Sequence, residues 1–369
     1  MRIERIELYY VQMPLVHPFQ TSFGREEVRH TVIVAAYSQG LVGYGESPAS
    51  AGPWYSYETV ETVWHVQRDF LVPLLLEREV ADAAELVRLF APVRGHNMAK
   101  TGLEQAFWDL LAKQKEVSLS RLLGGTRERI ESGVSVGIQS TPRALLERIA
   151  AFLAQGYRRI KIKIKPGWDV DIVRRVRQEF GDIPLMVDAN SAYTLADAEH
   201  LQKLDDYGLM MIEQPLAYDD IAEHARLQAR LRTPICLDES IHTPEQARWA
   251  LELGSCRIIN IKPARVGGLF QARRIHDLCQ ERGAPVWCGG LLETGIGRAH
   301  NVAIASLPNF RLPGDISASD RYFARDLVQP PFTLNPDGTI TVPTGPGIGV
   351  EVDEKRLEEV TVRREVFRR

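Results

Sequence analysis

The sequence predicts an α/β protein built on a barrel of alternating strands and helices, with a separate α+β region ahead of it. From about residue 130 onward, short apolar, β-branched runs recur in units of about 25 residues. Helix start and stop signals lie between them, and this alternation predicts a parallel sheet covered by helices. The first 125 or so residues lack that period and place strands before helices.

Residues 1–125 contain the strand-like segments IERIELYYVQMP, TVIVAAYSQG and LVGYGES, followed by helix-like YETVETVWHVQRDFLVPLLL and KTGLEQAFWDLLAKQ. They are expected to form a capping domain. Residues 126–325 hold the barrel. Its strands are SGVSVGI (132–138), RIKIKIK (159–165), IPLMVDAN (183–190), LMMIEQP (209–215), TPICLDES (233–240), RIINIKP (257–263) and APVWCGG (284–290), with RLPGDI (311–316) as the eighth. Between the first two, Thr141 and Pro142 sit where an N-cap and first helical residue belong, and Gly156 closes the turn. Thr243, Pro244 and Gly254 repeat the pattern. Such units, seven or more in succession, fit a closed (β/α)₈ barrel better than an open sheet. Residues 326–369, with PDGTITVPTGPGIGVEV, read as extended chain returning to the cap.

A chain of 369 residues has room for one or two full-sized cores. Its 45 basic and 48 acidic residues leave a formal net charge of -3, so no sequence-wide field favours a nucleic acid. No apolar run is long enough for a membrane span, and MRIERIELYYVQMP alternates charged and apolar residues, unlike a signal peptide. Four cysteines without a CxxC pair argue against a disulfide framework or structural zinc. A cytoplasmic protein is expected.

The chemistry sits at the strand ends. Lys163, Asp188, Glu213, Asp238 and Lys262 follow one another at intervals of 25, 25, 25 and 24 residues, the length of the barrel unit. The spacing predicts all five at one level on five successive strands, at the end of the barrel where active sites are found. Three converging carboxylates repel unless a cation holds them. An all-oxygen set selects a hard metal, Mg²⁺ first, with Mn²⁺ or another hard divalent cation able to substitute. Any one of these acids could instead cap the helix that follows its strand; three in regular succession favour a metal. Lys163 and Lys262 fall on the second and sixth strands, half a circuit apart, so they are expected to face each other across the metal. Lys161, on the same strand face as Lys163, together with the metal would lower the pKa of Lys163 and make it a usable base.

KIKIK, DAN, EQP, LDES and NIKP in this order resemble the enolase superfamily, in its muconate-lactonizing-enzyme-like subgroup, and the resemblance extends to FQTSFG, GYGES, PWYSYET, LEQAFWDLLAK and LLGG. Within the subgroup, KPARVGG, GGLLETGIGRAHN and LPGDISASDRYF are similar to the branch of o-succinylbenzoate synthases and N-succinyl or N-acyl amino acid racemases. The resemblance implies a modified TIM barrel, (β/α)₇β, under an α+β cap completed by the C-terminal segment. It also implies Mg²⁺ ligation by Asp188, Glu213 and Asp238 and acid/base roles for Lys163 and Lys262. Lys161, Asn190, Glu239, Ser135 and Glu293 match positions in or beside the site, and Arg265 matches an arginine typical of the branch. A capping loop with Phe19, Gln20 and Phe23, joined by Trp54 and Tyr55, would close over the far part of a small carboxylate substrate. The family leads to the expectation of a homo-oligomer. Racemization of N-acyl amino acids by 1,1-proton transfer is the first expectation, syn dehydration by an o-succinylbenzoate synthase the second, and a barrel that binds a metabolite without turnover a remote third.

Overall fold

The computed structural model describes residues 1–21 and 24–369. The cap begins with strands β1 (Arg5–Gln20), β2 (Arg25–Ser38) and β3 (Leu41–Ser47), continues into helix α1 (Asn97–Gln114), and is joined at its edge by the last strand of the chain. Alternate side chains of β1 and β2 go to different cores, as the two-residue period of a strand requires. Leu8, Tyr10, Val32, Val34 and Ala36 pack with cap residues such as Trp64, Leu103 and Phe107. Tyr9, Val11, Met13, Ile33 and Ala35 belong to the barrel core. The sheet is thus a partition with apolar surface on both sides.

Helix α1 lies so close to β3 that only glycine fits between them. A Cβ on Gly45 would stand 2.0 Å from the Gly102 carbonyl oxygen and 2.7 Å from the Ala106 nitrogen. Both are backbone atoms and cannot step aside. Gly45→Ala is therefore expected to destabilise the protein by about 2–3 kcal/mol, as overpacking does, and a thermal melt within 2 °C of wild type would contradict this.

Two buried glutamates fasten cap to barrel. Glu104 of α1 accepts from the Leu269 and Phe270 amides at 2.9 and 2.8 Å, at the start of helix Leu269–Glu281. Glu46 of β3 accepts from Thr294 Oγ1 and the Gly297 amide at 2.7 and 2.9 Å, at the start of helix Gly295–Ala305. Burial outweighs these hydrogen bonds and pushes the Glu104 carboxyl from 4.5 up to about 7. Its folded value lies above its unfolded one, so the native state holds the extra proton between those pH values. The Glu104 contribution to stability is greatest below pH 4.5 and declines as pH rises through 7. In Glu104→Gln, the pH slope of unfolding free energy between pH 5 and 7 should be more positive by up to one proton, about 1.4 kcal/mol per pH unit. Denaturant melts at several pH values measure it, and an unchanged slope would refute it.

The barrel contributes seven parallel strands in sequential order: β4 (Gly133–Val136), β5 (Arg159–Lys163), β6 (Leu185–Asp188), β7 (Ile212–Glu213), β8 (Ile235–Leu237), β9 (Ile258–Ile261) and β10 (Val286–Cys288). The cap's fourth strand is β11 (Thr361–Arg368), antiparallel to β1. Helix Pro142–Ala154 starts on Thr141, which accepts from the Ala144 amide, and helix Pro244–Leu253 starts on Thr243, which accepts from that of Gln246. Both helices stand where their capping signals place them.

One barrel feature differs from the sequence expectation. The strand expected at 311–316 is not a regular strand. Residues 309–315 close the ring by isolated contacts on each side: Gly133 N donates to Gly314 O at 2.7 Å, and Asp315 N donates to Cys288 O at 2.9 Å. Pro313 lacks an amide hydrogen, so a continuous ladder cannot form there. The barrel strands present apolar side chains outward and charged ones within the ring. In RIKIKIK, the isoleucines at 160, 162 and 164 pack outward under the helices while Arg159, Lys161 and Lys163 are buried inside the ring. Trp287 is the floor beneath them, with Arg159 and Lys161 at 5.2 and 4.9 Å from its ring centre. Among the described residues no helix is long and apolar enough to cross a membrane.

Candidate active site

The alternation of β5 aims Lys161 and Lys163 at the barrel axis, and strand register decides what they meet. Lys163 lies opposite Asp188 across β5 and β6, and Asp188 lies opposite Glu213 across β6 and β7. These three share one level. Glu213, however, pairs with Cys236, so Asp238 stands two residues further on, just past the end of β8. The expectation of five side chains at one level is corrected to a staircase, because strands tilted around a barrel shift register from one to the next.

Lys163 Nζ donates to Asp188 Oδ2 at 2.6 Å and to Asn190 Oδ1 at 2.7 Å. Lys161 Nζ sits among three carboxylates: Asp315 at 2.5 Å, Glu213 at 2.9 Å and Asp188 at 3.3 Å. Across the barrel, Lys262 Nζ donates to Asp238 Oδ2 at 2.7 Å and to the Tyr55 hydroxyl at 3.1 Å. Tyr55 in turn donates to Asp238 Oδ1 at 2.9 Å. Arg265 forms an ion pair with Asp238 and donates to Ile241 O at 2.7 Å. Asn190 also donates to Glu239 at 2.9 Å.

Charge shapes these groups as much as burial does. Burial works against the Lys161 ammonium, but Asp315, Glu213 and Asp188 overcome it and hold its pKa above the ordinary lysine value. Lys262 is raised likewise, with Tyr55, Glu213 and Glu239 outweighing burial. Burial also works against the Asp188 carboxylate, yet Lys163 and Lys161 hold it below the ordinary range. Burial and then Asp188 push Glu239 up to about 7. The charge of Lys161 is engaged by these three acids.

Lys163, Lys262, Lys161, Ser135, Asn190, Phe19 and Tyr55 line a single cavity of about 430 Å³ between barrel mouth and cap. Asp188, Glu213, Asp238, Glu239 and Arg265 are buried around the lysines without lining it. Glu293 turns back to accept from the Leu291 amide at 2.8 Å. Phe23 lies outside the described residues.

Among the described residues no ready-made cluster of three His, Cys, Asp or Glu ligands occurs. The acids are instead closed upon ammonium groups. Their chemistry nonetheless suits a hard divalent cation: all donors are oxygen, they come from successive strands, and Glu239 Oε2 is buried without a hydrogen-bond partner.

Asp315, Arg159 and Asn260 were not singled out from sequence. Asp315, on the closing segment, binds Lys161 and also Arg159 at 2.7 Å, and Asn260 donates to Glu213 Oε1 at 2.7 Å. The signal for Asn260 was present, since it precedes Lys262 by two residues as Lys161 precedes Lys163. Asp315 ends the eighth apolar run as the other acids end theirs.

Comparison with known proteins agrees with this geometry. The chain is 57% identical over 368 residues to an o-succinylbenzoate synthase of Geobacillus kaustophilus, covering 100% of this chain and 98% of that protein. It is 51% identical over 362 residues to an N-succinylamino acid racemase of an Amycolatopsis species, covering 98% of each. A solved enolase-superfamily structure from Listeria innocua superposes with a TM-score of 0.96 at 42% identity, covering 100% of this chain and 99% of that one. Residues 5–124 match the mandelate racemase / muconate lactonizing enzyme N-terminal domain and residues 144–356 the enolase C-terminal domain-like family. With both domains matched and lysines facing one cavity beside a ring of buried acids, the chain belongs to the enolase superfamily and is one of its enzymes.

Proposed function

We propose that the chain racemizes N-acyl amino acids, N-succinyl derivatives first, by moving the α-proton between the two faces of the α-carbon. The observation that carries this is the placement of Lys163 and Lys262 on one cavity from strands four places apart in the ring. Members of the superfamily typically bind a divalent metal. Here it would be Mg²⁺, held by Asp188, Glu213 and Asp238, and when bound it offsets the negative charge that grows on the substrate carboxylate. One lysine, as the free amine, takes the α-proton from its face. The other, as ammonium, delivers a proton to the opposite face, which inverts the centre. For the opposite enantiomer the roles exchange. Asn190 and Asp188 orient Lys163; Tyr55 and Asp238 orient Lys262.

A second reading is supported by the synthase names of relatives at 57% and 50% identity. In that syn dehydration, one lysine takes the α-proton and returns it to the departing hydroxyl on the same face, so that water leaves. The other remains an ammonium beside the developing negative charge. Side-by-side kcat/KM values for dehydration and for racemization of a panel of N-acyl amino acids separate the two. In D₂O, the racemase reading requires deuterium to enter from either enantiomer with inversion; exchange from one enantiomer alone, with no racemization, defeats it.

A further inference from the structure

We propose that a cationic pocket beside the active-site cavity, on the other side of Phe19, is a binding subsite for a carboxylate. The pocket, about 560 Å³, lies between the end of β1, the loop that follows β4 and helix Pro142–Ala154. Its lining includes His17, Arg25, Arg148 and Arg321, and among the described residues no Asp or Glu. Arg25 is paired with Glu27 at 2.9 Å. His17, Arg148 and Arg321 form no salt bridge among the described residues.

The two inner arginines are held by an aromatic ring rather than by acids. Their guanidinium carbons lie 5.3 and 5.1 Å from the centre of the buried Phe152 ring. Arg321 also lies 5.0 Å from the Tyr322 ring centre and donates to Ser135 O at 3.4 Å. Its Nε is buried with no hydrogen-bond partner. Contact with the ring tethers the two guanidinium groups while leaving N–H groups unspent for a carboxylate. Side by side, these like charges repel until an anion joins them. Burial and then Arg321 lower Arg148, and burial, Arg148 and Arg321 lower His17.

The pocket adjoins the reacting centre. Phe19 and Arg25 line both spaces, and the adjacent residues Ser135 and Val136 line one each. The carboxylate therefore has two possible sources: the far end of a dicarboxylic acyl chain whose amino acid lies between the lysines, or a free dicarboxylate. The first rests on the proposed function. The names of the similar synthase and racemase both specify succinyl compounds.

Racemization kcat/KM is to be compared for N-succinylphenylalanine and N-acetylphenylalanine in wild type and Arg148→Gln, with succinate binding to each protein titrated by calorimetry. Loss of one charge-assisted contact should lower the succinyl-to-acetyl ratio about ten- to a hundredfold. Ser140→Glu, which places a carboxylate at the exposed edge of the same pocket, should lower it in the same sense without removing either arginine. An unmoved ratio together with succinate binding that Arg148→Gln abolishes would assign the pocket to a free carboxylate. An unmoved ratio together with equal succinate binding by both proteins overturns the proposal. If wild type turns over neither acyl amino acid, the functional reading falls while the succinate titration still decides the pocket.

Discussion

Lys163→Ala is expected to lower racemization kcat/KM by about 10²–10⁴, the range that a positioned acid or base supplies. The effect should be asymmetric in isotope exchange. With Lys262 intact, the enantiomer whose α-hydrogen faces Lys262 still exchanges with D₂O, whereas the other does not. Lys262→Ala should give the mirror-image result. Asymmetry distinguishes loss of a proton carrier from general damage to the site, because damage slows both enantiomers alike. It is a necessary check, since Lys163 also anchors Asp188 and Asn190. A folded Lys163→Ala protein that racemizes within tenfold of wild type would remove this lysine from the mechanism.

Lys161→Met is expected to cost about 3–5 kcal/mol of stability, the penalty for breaking a buried ion pair from one side. The change leaves Asp315, Glu213 and Asp188 without the ammonium that lies within 3.3 Å of each. Methionine preserves much of the side-chain volume, so the loss reports charge rather than a cavity. A divalent cation held by Asp188 and Glu213, as proposed, would supply them with replacement charge. Melts in EDTA and in excess MgCl₂ should therefore differ more for Lys161→Met than for wild type. Equal differences would show that the acids do not share the ion, and a melt unchanged in both buffers would show that Lys161 carries no structural charge.

How much was legible in the sequence differs from residue to residue. The seven parallel strands fall within the runs read from residue 132 onward, because burial on the barrel selects β-branched residues at a fixed period. The resemblance to the superfamily was legible for a related reason: its motifs are strand ends. The contact of Tyr55 with Asp238, however, spans 183 positions, and no local pattern encodes it. The pairing of Asp315 with Lys161 was hidden because its segment closes the ring through Pro313 and isolated bridges instead of a regular strand. Pocket-lining Arg321 falls within LPGDISASDRYF, but only its placement beside Phe152 and Arg148 gives it a role.

By itself the sequence determined the α/β class, the barrel unit and the order of acids and lysines along the chain. These depend on periodicity and on the chemistry of single side chains, which are local. Only the tertiary structure decided which charges meet. Barrel register raises Asp238 above the level of Asp188 and Glu213, and cap closure brings Tyr55 to Lys262. Both follow from hydrogen-bond register and packing between distant segments, so spacing along the chain could set the intervals but not the heights.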